Sequence, residues 1–320
     1  MSQRIAIAST VRNADPVLDS FITYHLAAGF DHLFLFFDDP EDSALDKARR
    51  YTGVSAIPHD EHLRHQWRRS GLFAADFAHE VMGRQVLNLE VALQLAREQQ
   101  IDWMLHIDHD ELFYAGQQTV HEHFASLAAR PVQWVKYANY EAVPEQVDIV
   151  DYFRETTLFK RSLFDLACLK GGRALPLDRV VRYTGRQQEL VDRLPQVPLD
   201  LFHFYRKGKA AARVSDMIRP FGVHDFKVPV GQMTYATAPG DPVILHYTCC
   251  GFEHFWNKFR TLENTYEQGI ETWWGQDVTA HVSSFYLEAR DVVSQGDEER
   301  ARTFYKERYV ISDAAQVAAL

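Results

Sequence analysis

The stretch DWMLHIDHDEL, residues 102–112, decides the fold. WMLHI reads as a buried strand, and Asp108, His109, Asp110 and Glu111 follow at its carboxyl end. In open α/β sheets a ligand binds outside the carboxyl ends of the strands, so the position of this cluster is informative in itself. Side chains alternate along an extended chain, which puts Asp108 and Asp110 on one side while His109 turns away. Two carboxylates spaced in this way present hard oxygens to one divalent cation, the ligand type that Mg²⁺ and Mn²⁺ prefer. The plainer alternative is an acidic turn that caps the next helix.

Outward from this strand, the first 115 residues alternate apolar strand-like runs with amphipathic helix-like runs. That is the pattern of an α/β domain with a mostly parallel sheet. RIAIASTV (4–11) is the first strand, Asp15-Pro16 opens a helix that Gly29 closes, and DHLFLFF (31–37) is the second strand. A second helix is expected over 43–51, a short strand VSAI over 54–57, and a long helical stretch over 71–100 that feeds the decisive strand. After residue 130 come shorter strand-like pieces, VQWVKYANYEAV, TTLFKRSLF, RVVRYTG and VILHY, which suggest a mixed, partly antiparallel continuation of the sheet. From Gly251 the pattern is helical. The expectation is an α/β fold with a Rossmann-like, mixed but mostly parallel sheet flanked by helices. Residues 1–250 would form the main domain, and 251–320 a helical extension packed on it.

The chain has 320 residues, 46% hydrophobic and 24% charged, with a formal net charge of −10, the profile of an ordinary globular protein. This length excludes a small stapled scaffold. The acidic balance argues against a surface that coats nucleic acid, while leaving room for a local basic patch. Three cysteines, Cys168 and the adjacent Cys249 and Cys250, make a poor disulfide framework and suggest a reducing, cytoplasmic setting. The first residues lack the apolar core of a signal peptide, and no run reaches the roughly 18 apolar residues of a membrane span. Peripheral contact with a membrane stays open.

Three further features carry chemistry. The acidic turn Asp38-Asp39-Pro40-Glu41-Asp42-Ser43 ends the second strand, where it serves as a helix cap or as an acceptor for a base or ribose. A basic stretch, Arg206, Lys207, Lys209, Arg213 and Arg219, reverses the overall charge locally and suits phosphate oxygens, or else forms a solvated edge. His224 and His246 follow it; His246 sits in an apolar run, where a histidine is a hydrogen-bonded core residue or a ligand. No G-x-S-x-G elbow, G-x-G-x-x-G fingerprint, phosphate loop, C-x-x-C or H-E-x-x-H occurs. His121-Glu122-His123 reads as a solvated helix.

Taken in order, three segments resemble a glycosyltransferase of the GT-A type, in particular family 92 and its family 2-like bacterial relatives. They are VRNADPVLDSFITYHLAAGFDHLFLFFDDPEDSAL, DWMLHIDHDELF, and GKAAARVSDMIRPFGVHDF followed by VILHYTCCGFEHFWNKF. Two departures are Ala14, where the family usually has glutamate, and the Cys-Cys pair after Thr248. The resemblance implies a GT-A-like fold, a nucleotide-sugar donor, in the first place a uridine diphosphate (UDP) sugar, and Mn²⁺ or Mg²⁺. It implies donor contacts from Arg12, Asn13, Asp38, Asp39, Asp108, Lys209, Arg213, His224 and Lys258, and a metal held by Asp108, Asp110 and His246.

The acceptor would be a glycan or another hydroxyl. An inverting enzyme would also need a carboxylate base, for which Glu141 and Asp225 are the candidates. Two rival readings stand beside this one: a metal-dependent nucleotidyl or phosphoryl hydrolase, and an inactive glycan-binding protein of the same fold. Trp256, Trp273, Trp274, Phe285 and Tyr286 either pack a helical core or line an acceptor groove, packing being the plainer role.

Overall fold

The computed structural model describes residues 3–15, 17–70, 72, 78–160, 204, 208–228, 232–236, 240–266 and 284–311. These residues group into two compact units. One draws on 1–137, 207–236 and 240–244, the other on 138–206, 237–239 and 245–320. Residues 138–160 and 245–250, expected with the main domain, thus group by contact with the C-terminal helices. RVVRYTG, Arg206, Lys207, Trp273, Trp274 and Cys168 lie outside the described residues.

The first unit runs β1 (Ile5–Val11), α1 (Leu18–Ala28), β2 (His32–Phe37), α2 (Ala44–Ala48), β3 (Val54–Pro58), α3 (Glu61–Arg69), α4 (Val81–Glu98), β4 (Trp103–His106), β5 (Glu111–Tyr114), α5 (Val120–Ala128) and β6 (Val132–Tyr137). The second unit begins with β7 (Asn139–Val143), α6 (Tyr152–Glu155) and β8 (Leu158–Lys160). The chain then supplies β9 (Lys209–Arg213), β10 (Arg219–Phe221), β11 (Asp225–Lys227) and β12 (Gln232–Ala236) to the first. After β13 (Val243–His246) it ends in α7 (Phe252–Tyr266), α8 (Ser284–Ser294) and α9 (Glu298–Arg308).

Seven strands of the first unit form one sheet in the order β12-β6-β9-β4-β1-β2-β3. β1 is parallel to β2 and β4, β2 to β3, and β12 to β6, while β9 runs antiparallel to both β4 and β6. This is the mixed, mostly parallel sheet expected. All seven residues of β1 are buried, as a strand with neighbours on both edges and helices on both faces requires.

Local signals set the connections. Gly29 closes α1 at φ 109°, a left-handed value that a side chain would strain. The Asp60 side chain caps α3 by accepting from the Leu63 N–H at 2.9 Å. Leu63 and Trp67, one turn apart, bury that helix against a core that includes Phe34, Leu87 and Met104. This helix escapes a pattern search because only those two positions are buried.

In the second unit β7 pairs antiparallel with β8, Glu141 opposite Lys160. The three C-terminal helices close on an aromatic cluster that includes Phe252, Phe255, Trp256, Phe285, Tyr286, Tyr305 and Tyr309. Each such ring buries on the order of 2–3 kcal/mol of apolar surface, so core packing is the role of Trp256, Phe285 and Tyr286. Tyrosine hydroxyls inside this cluster satisfy backbone: Tyr305 donates to the Cys249 carbonyl and Tyr309 to that of Thr248, each at 2.8 Å. Cys249 itself holds φ 56°, an uncommon value for a non-glycine residue.

Candidate active site

The strand order places the site. The chain steps outward from β1 to β2 to β3, then returns to the other side of β1 to lay down β4. The reversal makes the carboxyl ends of β1 and β4 a topological switch point, where open α/β sheets hold their ligands. Pairing between β1 and β4 ends at Ala8 and His106, whereas β1 stays paired with β2 as far as Val11 and Phe37. Beyond Ala8, β1 therefore no longer has β4 paired at its edge.

Three strand-end loops lie at this edge. After β1, Arg12 is exposed and Asn13 turns the chain at φ 52°, its N–H donating to Asp42 at 3.1 Å. After β2 comes Asp38, whose carboxylate is a bidentate partner of Arg84, Nη2 lying 2.8 Å from Oδ2 and Nε on Oδ1. Arg12 approaches the same Oδ2 at 3.4 Å. Asp38 is thus committed to arginine, and the neighbouring Asp39, exposed and turned into a loop by the Glu41 N–H, is the acceptor that solvent reaches.

Beyond β4, Asp108 takes the Gln85 amide on Oδ1 at 2.8 Å and the Lys209 ammonium on Oδ2 at 2.5 Å. Its side chain keeps 21% of its surface exposed, while that of Lys209 is wholly buried and lies 3.6 Å from Glu111. Burial works against the charge of Asp108, but Lys209 outweighs it and holds the carboxyl below its ordinary range. Burial likewise opposes the charge of Lys209, and Asp108 with Glu111 reverses that effect, keeping it an ammonium. Burial pushes the Glu111 carboxyl well up. Beside the pair, His106 is driven down to about 3, by burial first and then by Lys209, so it is neutral.

Helix α4 supports all of this from below, and sequence reading missed it. Arg84 and Gln85 hold the two strand-end aspartates. Asn88, one turn on, donates to Thr10 Oγ1 at 2.9 Å and accepts from the Trp67 indole at 3.2 Å. The signal was present: three polar residues at i, i+1 and i+4 in an otherwise apolar stretch.

Other expected residues are placed as follows. Lys209 and Arg213 sit at opposite ends of β9. Lys209 is paired with Tyr137 at the carboxyl edge, while Arg213 is paired with Trp103 at the far edge, about 13 Å along the strand. Arg213 lies over the Trp103 ring and donates to the Ala128 carbonyl, so the two cations do not share one phosphate site, contrary to the expectation from their spacing. His224 Nδ1 bonds the Gly208 carbonyl at 3.2 Å, and Asp225 receives Lys136 at 3.0 Å with a third of its side chain exposed.

Glu141, His246 and Lys258 belong to the second unit. Glu141 is sealed, with Lys160 on Oε1 at 3.0 Å and the Phe204 N–H on Oε2 at 2.8 Å. His246 is buried in β13, and Lys258 donates to Thr248 Oγ1 at 2.9 Å. His123, read as solvated, is instead buried, 2.8 Å from the Tyr137 hydroxyl, and burial lowers its pKa to about 4.

Among the described residues no three His, Cys, Asp or Glu side chains gather as a metal-ligand set. Asp108 already carries a donor on each oxygen, and Asp110 is buried. No described helix is long and apolar enough to cross a membrane.

No protein-family model matches the chain. Two glycosyltransferase-like proteins of Arabidopsis thaliana are similar in sequence. One is 27% identical over 312 residues, covering 92% of this chain and 63% of that relative. The other is 28% identical over 189 residues, covering 56% and 32%. The chain thus spans less than two thirds of the length of either.

Among solved structures, the S. aureus protein TarS in complex with UDP matches at a TM-score of 0.35 and 9% identity, over 95% of this chain and 91% of that one. The mannosyltransferase Ktr4p from S. cerevisiae matches at 0.28 and 11%, over 45% and 40%. Scores this low assign no fold, and the architecture rests on the strand order of the chain itself. By sequence, the chain is similar to proteins named glycosyltransferase-like, over nearly its whole length in one case.

Proposed function

We propose that this protein is a glycosyltransferase that takes a sugar from a nucleoside-diphosphate donor, a UDP-sugar in the first place, and passes it to a hydroxyl of a glycan or another acceptor. The observation that carries this reading is the switch-point edge of the sheet, where the solvent-reached carboxylates of Asp39 and Asp108 follow β2 and β4 and the exposed cation Arg12 follows β1. The names of the two plant relatives support it.

On this reading Asp39 and Asp108 accept hydrogen bonds from the nucleoside, with Asn13 shaping the rim. Arg12 meets the diphosphate, whose charge grows as the bond from the sugar's anomeric carbon to the phosphate oxygen breaks. Lys209 holds Asp108 ionised and aimed. For an inverting transfer Asp225 would take the acceptor's proton as its oxygen bonds to the anomeric carbon, because it reaches solvent where Glu141 does not. No step is assigned to a metal.

Calorimetry with UDP, followed by a panel of UDP-sugars read out by UDP release, tests the proposal. Binding at micromolar concentrations and release that depends on an added acceptor are expected. A protein that binds no nucleoside diphosphate, with or without Mn²⁺, would end this reading, and release that needs no acceptor would favour the hydrolase.

A further inference from the structure

His109 is the middle residue of the acidic cluster, and it sits in the turn that follows β4, closed by the Glu111 N–H donating to the Asp108 carbonyl at 3.1 Å. Its ring turns back to the open edge of β1. β1 continues past the last β4 pair, and the Ile107 N–H supplies the final main-chain bond between them, donating to the Ala8 carbonyl at 3.3 Å. Carbonyls two residues apart on a strand face the same neighbour, so the Thr10 carbonyl faces the position that β4 has vacated. His109 Nδ1 fills that position, 3.3 Å from the Thr10 oxygen.

A carbonyl oxygen only accepts, so Nδ1 must be the donor. In the neutral ring Nε2 is then an acceptor. The ring is half-buried, and its support is built: the Thr10 side chain is itself held by Asn88 at 2.9 Å, which is held by Trp67. An imidazole locked in one tautomer at the switch-point edge offers its second nitrogen with little entropy left to lose.

We infer that His109 is a specificity-determining residue of the donor site, its Nε2 accepting a hydrogen bond from the nucleoside, either a ribose hydroxyl or the N3–H of a uracil base. The inference deepens the donor reading above and rests on it. It also gives the cluster a division of labour. Asp108 and His109 are neighbours in one turn with separate supports, the carboxylate set by Lys209 and the imidazole set by β1.

The test is calorimetry with three nucleotides, UDP, 2′,3′-dideoxyuridine diphosphate and CDP, on the wild-type protein and His109→Ala. A neutral hydrogen bond predicts a loss of about 3- to 10-fold in UDP affinity for the variant. The loss should vanish with the dideoxy nucleotide if the ribose is the partner, or with CDP, whose N3 carries no hydrogen, if the base is. An unchanged UDP affinity, or an equal loss on all three nucleotides, overturns the inference. Wild-type protein that fails to bind UDP removes the donor reading instead. Should His109→Ala not fold, His109→Gln keeps an amide donor for Thr10 and an acceptor for the ligand. It should then bind UDP within about threefold of wild type, and a 10-fold or greater loss counts against the proposal.

Discussion

The two units each bury a carboxylate–lysine pair, and the pairs differ in one respect that decides their use. Lys209–Asp108 leaves a fifth of the aspartate exposed, whereas Lys160–Glu141 is 2% and 0% exposed. Both lysines compensate a carboxylate that burial would otherwise neutralise. Only the first pair has a side open to a ligand. The second joins facing residues of β7 and β8, and its remaining oxygen is taken by backbone. The same two functional groups therefore leave a solvent-reached carboxylate in one place and make a sealed clasp in the other, with access rather than chemistry separating them.

Acid should break the contrast first and most strongly. Burial depresses His25 and His106 to about 3 and His123 to about 4, and all three lie in the first unit. A base with a folded pKa below its unfolded value near 6.5 binds more protons when unfolded. The stability that it lends is therefore complete above that value and is lost as pH falls towards the folded pKa. At pH 5 each histidine accounts for about 2 kcal/mol, so together they are the largest effect expected here. Hydrogen exchange followed by mass spectrometry should show protection in residues 5–137 falling before that in residues 284–311. Simultaneous loss would mean that the three rings do not govern acid unfolding.

Next in size is the clasp. Glu141→Gln leaves Lys160 charged without its carboxylate and should cost about 3–5 kcal/mol in a urea titration. The double variant Glu141→Gln with Lys160→Met should recover most of that loss. If Glu141→Gln instead kept full stability and lost sugar transfer, Glu141 would return as the catalytic base. Asp108→Asn should lower UDP affinity by about 10- to 100-fold, the range of a hydrogen bond to a charged group, and should also lower the urea midpoint, because the fully buried Lys209 loses its nearest carboxylate. A variant with wild-type UDP affinity would detach Asp108 from the donor. The smallest response belongs to the metal. Mn²⁺ titrated into nucleotide-free protein should produce no binding heat at sub-millimolar concentrations, because both Asp108 oxygens already carry donors. A micromolar site would show that a ligand set exists after all.

Much of this was legible in one dimension. Continuous apolar runs such as IAIASTV and HLFLFF mark strands buried on both faces, Gly29 marks a helix end, and acids after such strands mark the ligand edge. Side-chain alternation predicts His109 on the face opposite Asp108 and Asp110, but β4 ends at His106 and these residues form a turn instead. The partner of His109 was hidden, because the Thr10 carbonyl that receives the ring lies 99 residues away along the chain. Lys209 and Arg213 read as one basic patch because they are four residues apart. A strand turns that spacing into distance, and the antiparallel course of β9 puts one at the site and the other at the opposite edge. The helical stretch over 71–100 was legible, but not the use of Arg84 and Gln85 within it, because their partners Asp38 and Asp108 are 46 and 23 residues away.

The sequence by itself determined the fold class and the edge at which chemistry gathers, because hydrophobic period and strand-end charge are local properties. Only the tertiary structure decided which charged groups work and which merely hold, because that depends on who sits across from each. A lysine 101 residues away sets Asp108 with one side open. A lysine 19 residues away closes over Glu141.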